Sequence, residues 1–166
     1  MYSRIVAACF MAALNSGVVY GHGDSHDRKP AAKRAVSTTE TVFGRQGDPK
    51  KVTRTISVGM DDSMHFTPGD LRLRQGETVK FNVRNGGKIM HEMVVGTLAE
   101  LNAHAELMRK HPGMEHDEPY MAHVAPGKKQ SIVWQFTKLG DFHYACLIPG
   151  HLEAGMIARI TVEPKK

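Results

Sequence analysis

An all-β fold, an antiparallel two-layer sandwich with one short inserted helix, is predicted for residues 52–166 by three observations. Apolar and polar residues alternate with a period of two in several short segments, and turn signals recur between those segments. One stretch alone carries the 3.6-residue spacing of a helix.

The alternation is cleanest where Val79, Phe81 and Val83 are interleaved with Lys80, Asn82 and Arg84, the pattern of a strand with one face buried. Ile132, Trp134 and Phe136 alternate with Val133 and Gln135, and Ala158, Ile160 and Val162 with Arg159 and Thr161. Turns are signalled at Pro68-Gly69, Gln75-Gly76, Asn85-Gly86-Gly87, Pro126-Gly127, Leu139-Gly140 and Pro149-Gly150. Short strands punctuated this often make a sandwich. The helix is expected between Thr97 and Lys110, where Leu98, Leu101, Ala105 and Met108 fall at helical spacing. Thr97 and Glu100 form a capping box at its start, and Pro112 follows its end.

Residues 1–21 read as an export signal, with Arg4 before the apolar run Ile5 to Leu14 and a cleavage site at Val19-Tyr20-Gly21. The run is shorter than the roughly 20 apolar residues of a spanning helix, and no other segment has the length to span a membrane. From residue 22 to residue 51 the chain is nearly free of large apolar side chains, so a mobile, basic, His-containing tail is expected.

The 166 residues suit one domain with tails. Lys and Arg number 22 against 17 Asp and Glu, a net charge of +5 that is too small and too dispersed to argue for nucleic acid. No phosphate-binding loop, nucleophile triad or carboxylate pair stands out. The unusual counts are 10 His and 10 Met beside 2 Cys, a stock of soft and borderline metal ligands without the thiols of a disulfide framework. Cleavage of the signal removes Cys9 and leaves Cys146 as the sole thiol.

Cys146 is followed after four residues by His151, and His151 after four more by Met156. Singly, each has a plain reading: a small buried thiol, a loop imidazole, a core thioether. Together they are a soft ligand set that a second imidazole completes into a trigonal His2Cys site with a weak axial Met. His91 is the candidate for that imidazole. It shares parity with Ile89, Met93 and Val95 and so points inward, as Cys146 does with Phe142 and Tyr144. Zinc accepts thiolate and imidazole, but thioether sulfur suits it poorly.

His on one strand, then Cys, His and Met on the last loop before Gly155-Met156-Ile157-Ala158-Arg159-Ile160-Thr161-Val162, resembles the cupredoxins, the plastocyanin and azurin superfamily, over about residues 52–163. Met64-His65-Phe66-Thr67-Pro68, Gly76-Glu77-Thr78-Val79, His91-Glu92, Trp134-Gln135-Phe136-Thr137 and Cys146-Leu147-Ile148-Pro149-Gly150-His151 resemble the periplasmic copper-tolerance cupredoxins of the CopI type. The resemblance implies a Greek-key sandwich, copper as cofactor, a periplasmic location, and His91, Cys146, His151 and Met156 as type 1 copper ligands. One position departs from the electron carriers of that superfamily, which place Asn after the first ligand His. Here it is Glu92, which cannot donate a hydrogen bond unless protonated and whose parity, opposite to that of His91, reads as outward and solvated.

Two further clusters are candidate auxiliary copper sites. His104, Met108 and His111 are spaced i, i+4, i+7 along one helix face, and Met114, His116, Met121 and His123 follow. Met108 also fits the apolar stripe. Cleavage after Gly21 makes His22 the amino terminus, where amine and imidazole together chelate Cu(II), with His26 close by. In a third short cluster of Met60, Met64 and His65, Met64 shares parity with Phe66 and reads as core.

Two functions fit these readings. One is copper handling for tolerance, with or without oxidation of Cu(I) to Cu(II) and with a redox partner protein or a copper exporter as partner. The other is a soluble blue-copper electron carrier. A dedicated carrier needs one buried copper and a clean apolar docking edge. The extra His and Met therefore favour handling, by a monomeric metal-binding redox protein rather than a dedicated enzyme.

Overall fold

The computed structural model describes residues 36–111 and 117–165. The export signal and residues 22–35 of the expected tail lie outside them, as do Met114 and His116.

Among the described residues, eleven strands form two sheets. In chain order they are β1 (Glu40–Thr41), β2 (Gly44–Gln46), β3 (Arg54–Met60), β4 (Phe66–Thr67), β5 (Leu71–Arg74) and β6 (Thr78–Asn85), then β7 (His91–Gly96), β8 (Met121–Val124), β9 (Lys129–Gln135), β10 (Gly140–Ala145) and β11 (Ile157–Glu163). One sheet has the order β1-β2-β9-β6-β3-β4 and the other β5-β11-β10-β7-β8. The core is the alternating set read from sequence. Val79, Phe81, Val83, Ile132 and Trp134 of the first sheet share one buried cluster with Met93, Val95, Phe142, Tyr144 and Ile160 of the second.

The sheets are mixed rather than antiparallel, because β3 pairs with β6, and β5 with β11, in parallel. The chain leaves β3, passes through β5 in the opposite sheet and returns as β6, so β6 runs in the direction of β3.

The sandwich also begins before residue 52. Residues 40–46 pair as β1 and β2 against β9, and Pro49–Lys51 form one 3-10 turn capped by Asp48. Phe43 is buried, its ring stacked on Trp134 at a centroid distance of 5.0 Å, and Trp134 Nε1 donates to the Phe43 carbonyl at 3.2 Å. Gly44, with φ +130°, passes so close to the Gln135 carbonyl that a Cβ there would collide with it. One aromatic ring and an edge of backbone hydrogen bonds are enough to order a segment whose composition is otherwise that of a tail.

The helix α1 (Leu98–Lys110) has Thr97 as its N-cap, and the Thr97/Glu100 capping box is formed. It buries Leu101, Ala105 and Met108. Leu101 and Ala105 pack with Val94, Met121, Ala145 and Leu147 in a second cluster. Between this cluster, which takes Val94, and the main core, which takes Met93 and Val95, β7 is buried along its whole length. No helix among the described residues is long and apolar enough to cross a membrane.

Candidate metal centre

His91 opens β7 and Cys146 directly follows β10, so the antiparallel pairing of these strands brings their ends together. The segment from Cys146 to Met156 is closed on itself. Cys146 N–H donates to the Met156 carbonyl and Met156 N–H to the His151 carbonyl, each at 3.0 Å, while His151 N–H donates to the Ile148 carbonyl at 2.9 Å. Gly150 and Gly155 take the left-handed conformations, φ +92° and +94°, that let this loop turn so tightly.

The ligand atoms of His91, Cys146 and His151 lie within 4.8 Å of one another, and all three residues are buried. Cys146 Sγ is 3.1 Å from His151 Nδ1, and the two imidazole rings have centroids 4.9 Å apart. His91 Nδ1 is buried with no hydrogen-bond partner, a vacant electron pair in a region that otherwise satisfies its polar groups. His151 is 8% exposed and His91 0%, so the loop imidazole is the one nearer to solvent. Met156 is wholly buried and belongs to the main core cluster.

Burial pushes the Cys146 thiol up to about 12, against the smaller opposing pull of the Glu92 and Ile148 backbone N–H groups. A thiol so protonated becomes a ligand when a metal displaces its proton. Burial also lowers the pKa of His151, and the neighbouring His91 pushes in the same direction, leaving a neutral imidazole with a free electron pair.

Glu92 is not outward and solvated; it is 1% exposed. Parity placed it correctly on the face opposite His91, but that face is the one shared with Val94, which α1 covers. Its Oε1 accepts from the N–H of Leu147 at 2.8 Å, and its Oε2 is 3.0 Å from His123 Nδ1 on β8. Its own N–H donates to Cys146 Sγ at 3.4 Å. Glu92 thus ties β7, β8 and the Cys146 loop together by accepting hydrogen bonds instead of donating them.

Two neighbours of the site carried no signal in the sequence beyond the turn at Asn85-Gly86-Gly87. Asn85 is fully buried and donates to the carbonyls of Ile89 at 2.7 Å and Val124 at 2.8 Å, which shapes the approach to His91. Asp62 Oδ1 is 3.2 Å from His91 Nε2. The Lys88 N–H holds the Asp62 carboxyl below the usual carboxylate range, so it is an anion. Ile89 precedes the strand and is 42% exposed, so the inward parity shared by His91, Met93 and Val95 does not extend to it.

The auxiliary residues are more scattered. Met108 and Met121 are buried, His111 is exposed as the helix C-cap, and His104 and His123 are half-buried. Met64 lies in a left-handed turn, φ +62°, not in a strand, and packs partly against the core. Met60 is core, and His65 is exposed with its Nδ1 2.6 Å from the Ser63 carbonyl. His22 and His26 lie outside the described residues.

A mixed two-sheet sandwich that gathers a thiol and two imidazoles at one end of its strands has the architecture of a cupredoxin. Solved structures agree on the fold. Auracyanin from Roseiflexus castenholzii matches 68% of this chain and 99% of its own with a TM-score of 0.59 at 18% identity. Auracyanin B matches 74% and 97% with a TM-score of 0.60 at 23% identity. A family model described as copper binding proteins, plastocyanin/azurin family, matches residues 52–163. The copper-resistant cuproprotein CopI of Rubrivivax gelatinosus is 46% identical over 157 residues, 95% of this chain and 92% of that protein. CopI of Pseudomonas aeruginosa is 31% identical, over 81% and 90% respectively. The chain belongs to the plastocyanin/azurin family of copper-binding proteins, and the CopI cuproproteins are among its relatives. Its donor set fits copper: two imidazoles and a thiol, with one buried imidazole nitrogen that no protein group satisfies.

Proposed function

We propose that this is an exported, periplasmic copper-handling protein that contributes to copper tolerance, in which His91, Cys146, His151 and Met156 would hold a type 1 copper, Met156 as the weak ligand. The convergence of His91, Cys146 and His151 within 4.8 Å carries the ligand assignment. The name shared by the relatives, copper-resistant cuproprotein, carries the role in tolerance. Copper bound there supplies a one-electron couple between Cu(II) and Cu(I). The chain's part is to give up the Cys146 proton, to present the imidazoles of His91 and His151, and to exclude water with Met156 and the buried walls. Oxidation of incoming Cu(I) at such a site would release one electron, which a redox partner protein of the same compartment would have to accept. His104, His111, Met114 and His116 on the insertion, and His22 and His26 at the exported amino terminus, collect copper, which is delivered to or received from a copper exporter by a monomer.

A second reading, a soluble electron carrier, is favoured by Ile89 and Met90. These two large apolar side chains immediately before His91 are 42% and 45% exposed, as a docking edge requires.

Cys146→Ser tests the assignment, because it keeps the size but replaces the soft thiolate by a hydroxyl. The copper-loaded protein is expected to show an intense visible thiolate-to-Cu(II) band and the variant none, and cells carrying the variant are expected to lose tolerance to added copper. A variant that keeps the band overturns the ligand set. Tolerance that survives while respiratory electron flow falls favours the carrier.

A further inference from the structure

Asp62 lies in the turn after β3, far in sequence from every proposed ligand, with its Oδ1 3.2 Å from His91 Nε2. The Asp62 oxygens already face the backbone N–H groups of Lys88 and Ile89 as acceptors, so with the ring proton on Nε2 toward that carboxyl, Nδ1 keeps its electron pair. That Nδ1 is the buried, unpartnered atom of the site. The carboxylate is itself fixed in place. Lys88 N–H donates to both oxygens, at 2.8 and 3.1 Å, and Ile89 N–H lies 3.4 Å from Oδ1. A Cβ at Gly87 would collide with it, so the loop before His91 is wrapped around the carboxylate and admits only glycine there.

We propose that Asp62 is a positioning residue for the metal centre: it holds His91 in the tautomer with the proton on Nε2, aims Nδ1 at the metal, and by its negative charge favours Cu(II) over Cu(I). The proposal rests on His91 being a copper ligand, as argued above. Its physical basis is general. A carboxylate on the far nitrogen of a metal-bound imidazole fixes the ring and raises its basicity, and loss of such a partner typically costs about 10 to 100-fold in metal affinity. Asp62 is also an anion close to the site whose side chain is 39% exposed, so its charge is screened by solvent but not abolished.

Two variants and two readouts test this. Asp62→Asn keeps a carbonyl oxygen for the backbone N–H groups and for His91 but removes the charge, whereas Asp62→Ala removes both. In 15N spectra of the copper-free protein, His91 is expected to be the Nε2–H tautomer in the wild type and a mixture in Asp62→Ala. After copper loading, all three proteins are expected to show the visible band. The reduction potential is expected to rise in both variants by about the 59 mV that a tenfold change in the Cu(I) to Cu(II) affinity ratio represents for one electron. Cu(II) is expected to leave Asp62→Ala for a chelator at least tenfold faster. A wild type without the visible band would sink the ligand assignment itself. A wild type with the band, but with tautomer, potential and copper release unchanged in Asp62→Ala, would overturn the role of Asp62 and leave the ligand assignment standing.

Discussion

Glu92 shows how one residue can be readable in type and wrong in environment. The sequence marks it as a departure, and its strand parity correctly sends it away from His91. Parity gives a direction, however, and not what lies in that direction, which here is the Cys146 loop and His123 of β8. In place the carboxylate satisfies the N–H of Leu147, the residue next to Cys146. Glu92→Ala leaves that buried donor without an acceptor, which costs about 1–3 kcal/mol, and should lower the denaturant midpoint of the copper-free protein accordingly. Met156 presents the opposite case, for its spacing from His151 was legible and its burial agrees. In its proposed role as a weak axial ligand it would tune the potential more than retain the metal. Met156→Leu is therefore expected to keep one copper and the visible band while voltammetry records a higher potential. Asp62 and Asn85 were illegible for a different reason. Asp62 reaches the loop before His91 from 26 residues away, and Asn85, though it adjoins that loop, also bonds Val124 39 residues on, contacts that only the folded register of β3, β6 and β8 makes.

Among the elements, the strands were legible wherever a run had one face in the core, as in β6, β9 and β11, and α1 was legible to its cap. Edge elements were not. β1, β2 and β4 have two or three residues each, too short for any period to register, and they are held by backbone pairing. The amino-terminal segment was lost for this reason, although Phe43 was a signal that stood alone in it. Stacked on Trp134 and nearly inaccessible to solvent, that ring anchors β1 and β2 to β9. Phe43→Ala removes the ring and leaves a cavity against the indole, so a loss of about 3 kcal/mol is expected in chemical denaturation. A loss under about 0.5 kcal/mol, the range of an ordinary surface change, would mean that residues 40–51 behave as a tail in solution. The parallel pairings were illegible as well, since periodicity states which face of a strand is buried and not which neighbour it has.

At the scale of the whole molecule, the described residues gather one buried centre, and Met60, Met93 and Met121 are taken up by the core, so they are not open to a second ion. Two rigid sheets fix His91 and Cys146 by their strand ends, and the loop after Cys146 supplies the rest, so the centre has little freedom to adapt to more than one ion. Copper handling at higher loads then depends on ligands elsewhere. The insertion after β7 is the proposed source, though not as the helical row its spacing suggests, because Met108 is buried and has a packing role already. The remaining set is His104 and His111, with Met114 and His116 beyond the helix. Replacing these four with Ala or Leu, with Met108 left in place, is expected to reduce the total copper bound per chain while the visible band is unchanged. At the exposed His111 the stability cost should stay within about 0.5 kcal/mol. Metal analysis after dialysis gives the stoichiometry, absorbance gives the buried site separately, and growth in added copper gives the consequence, which is expected to be reduced tolerance. If the wild type already holds a single copper, and neither that number nor tolerance changes in the variant, the insertion is a surface helix over β7 and the protein works as a carrier of electrons through its one buried metal.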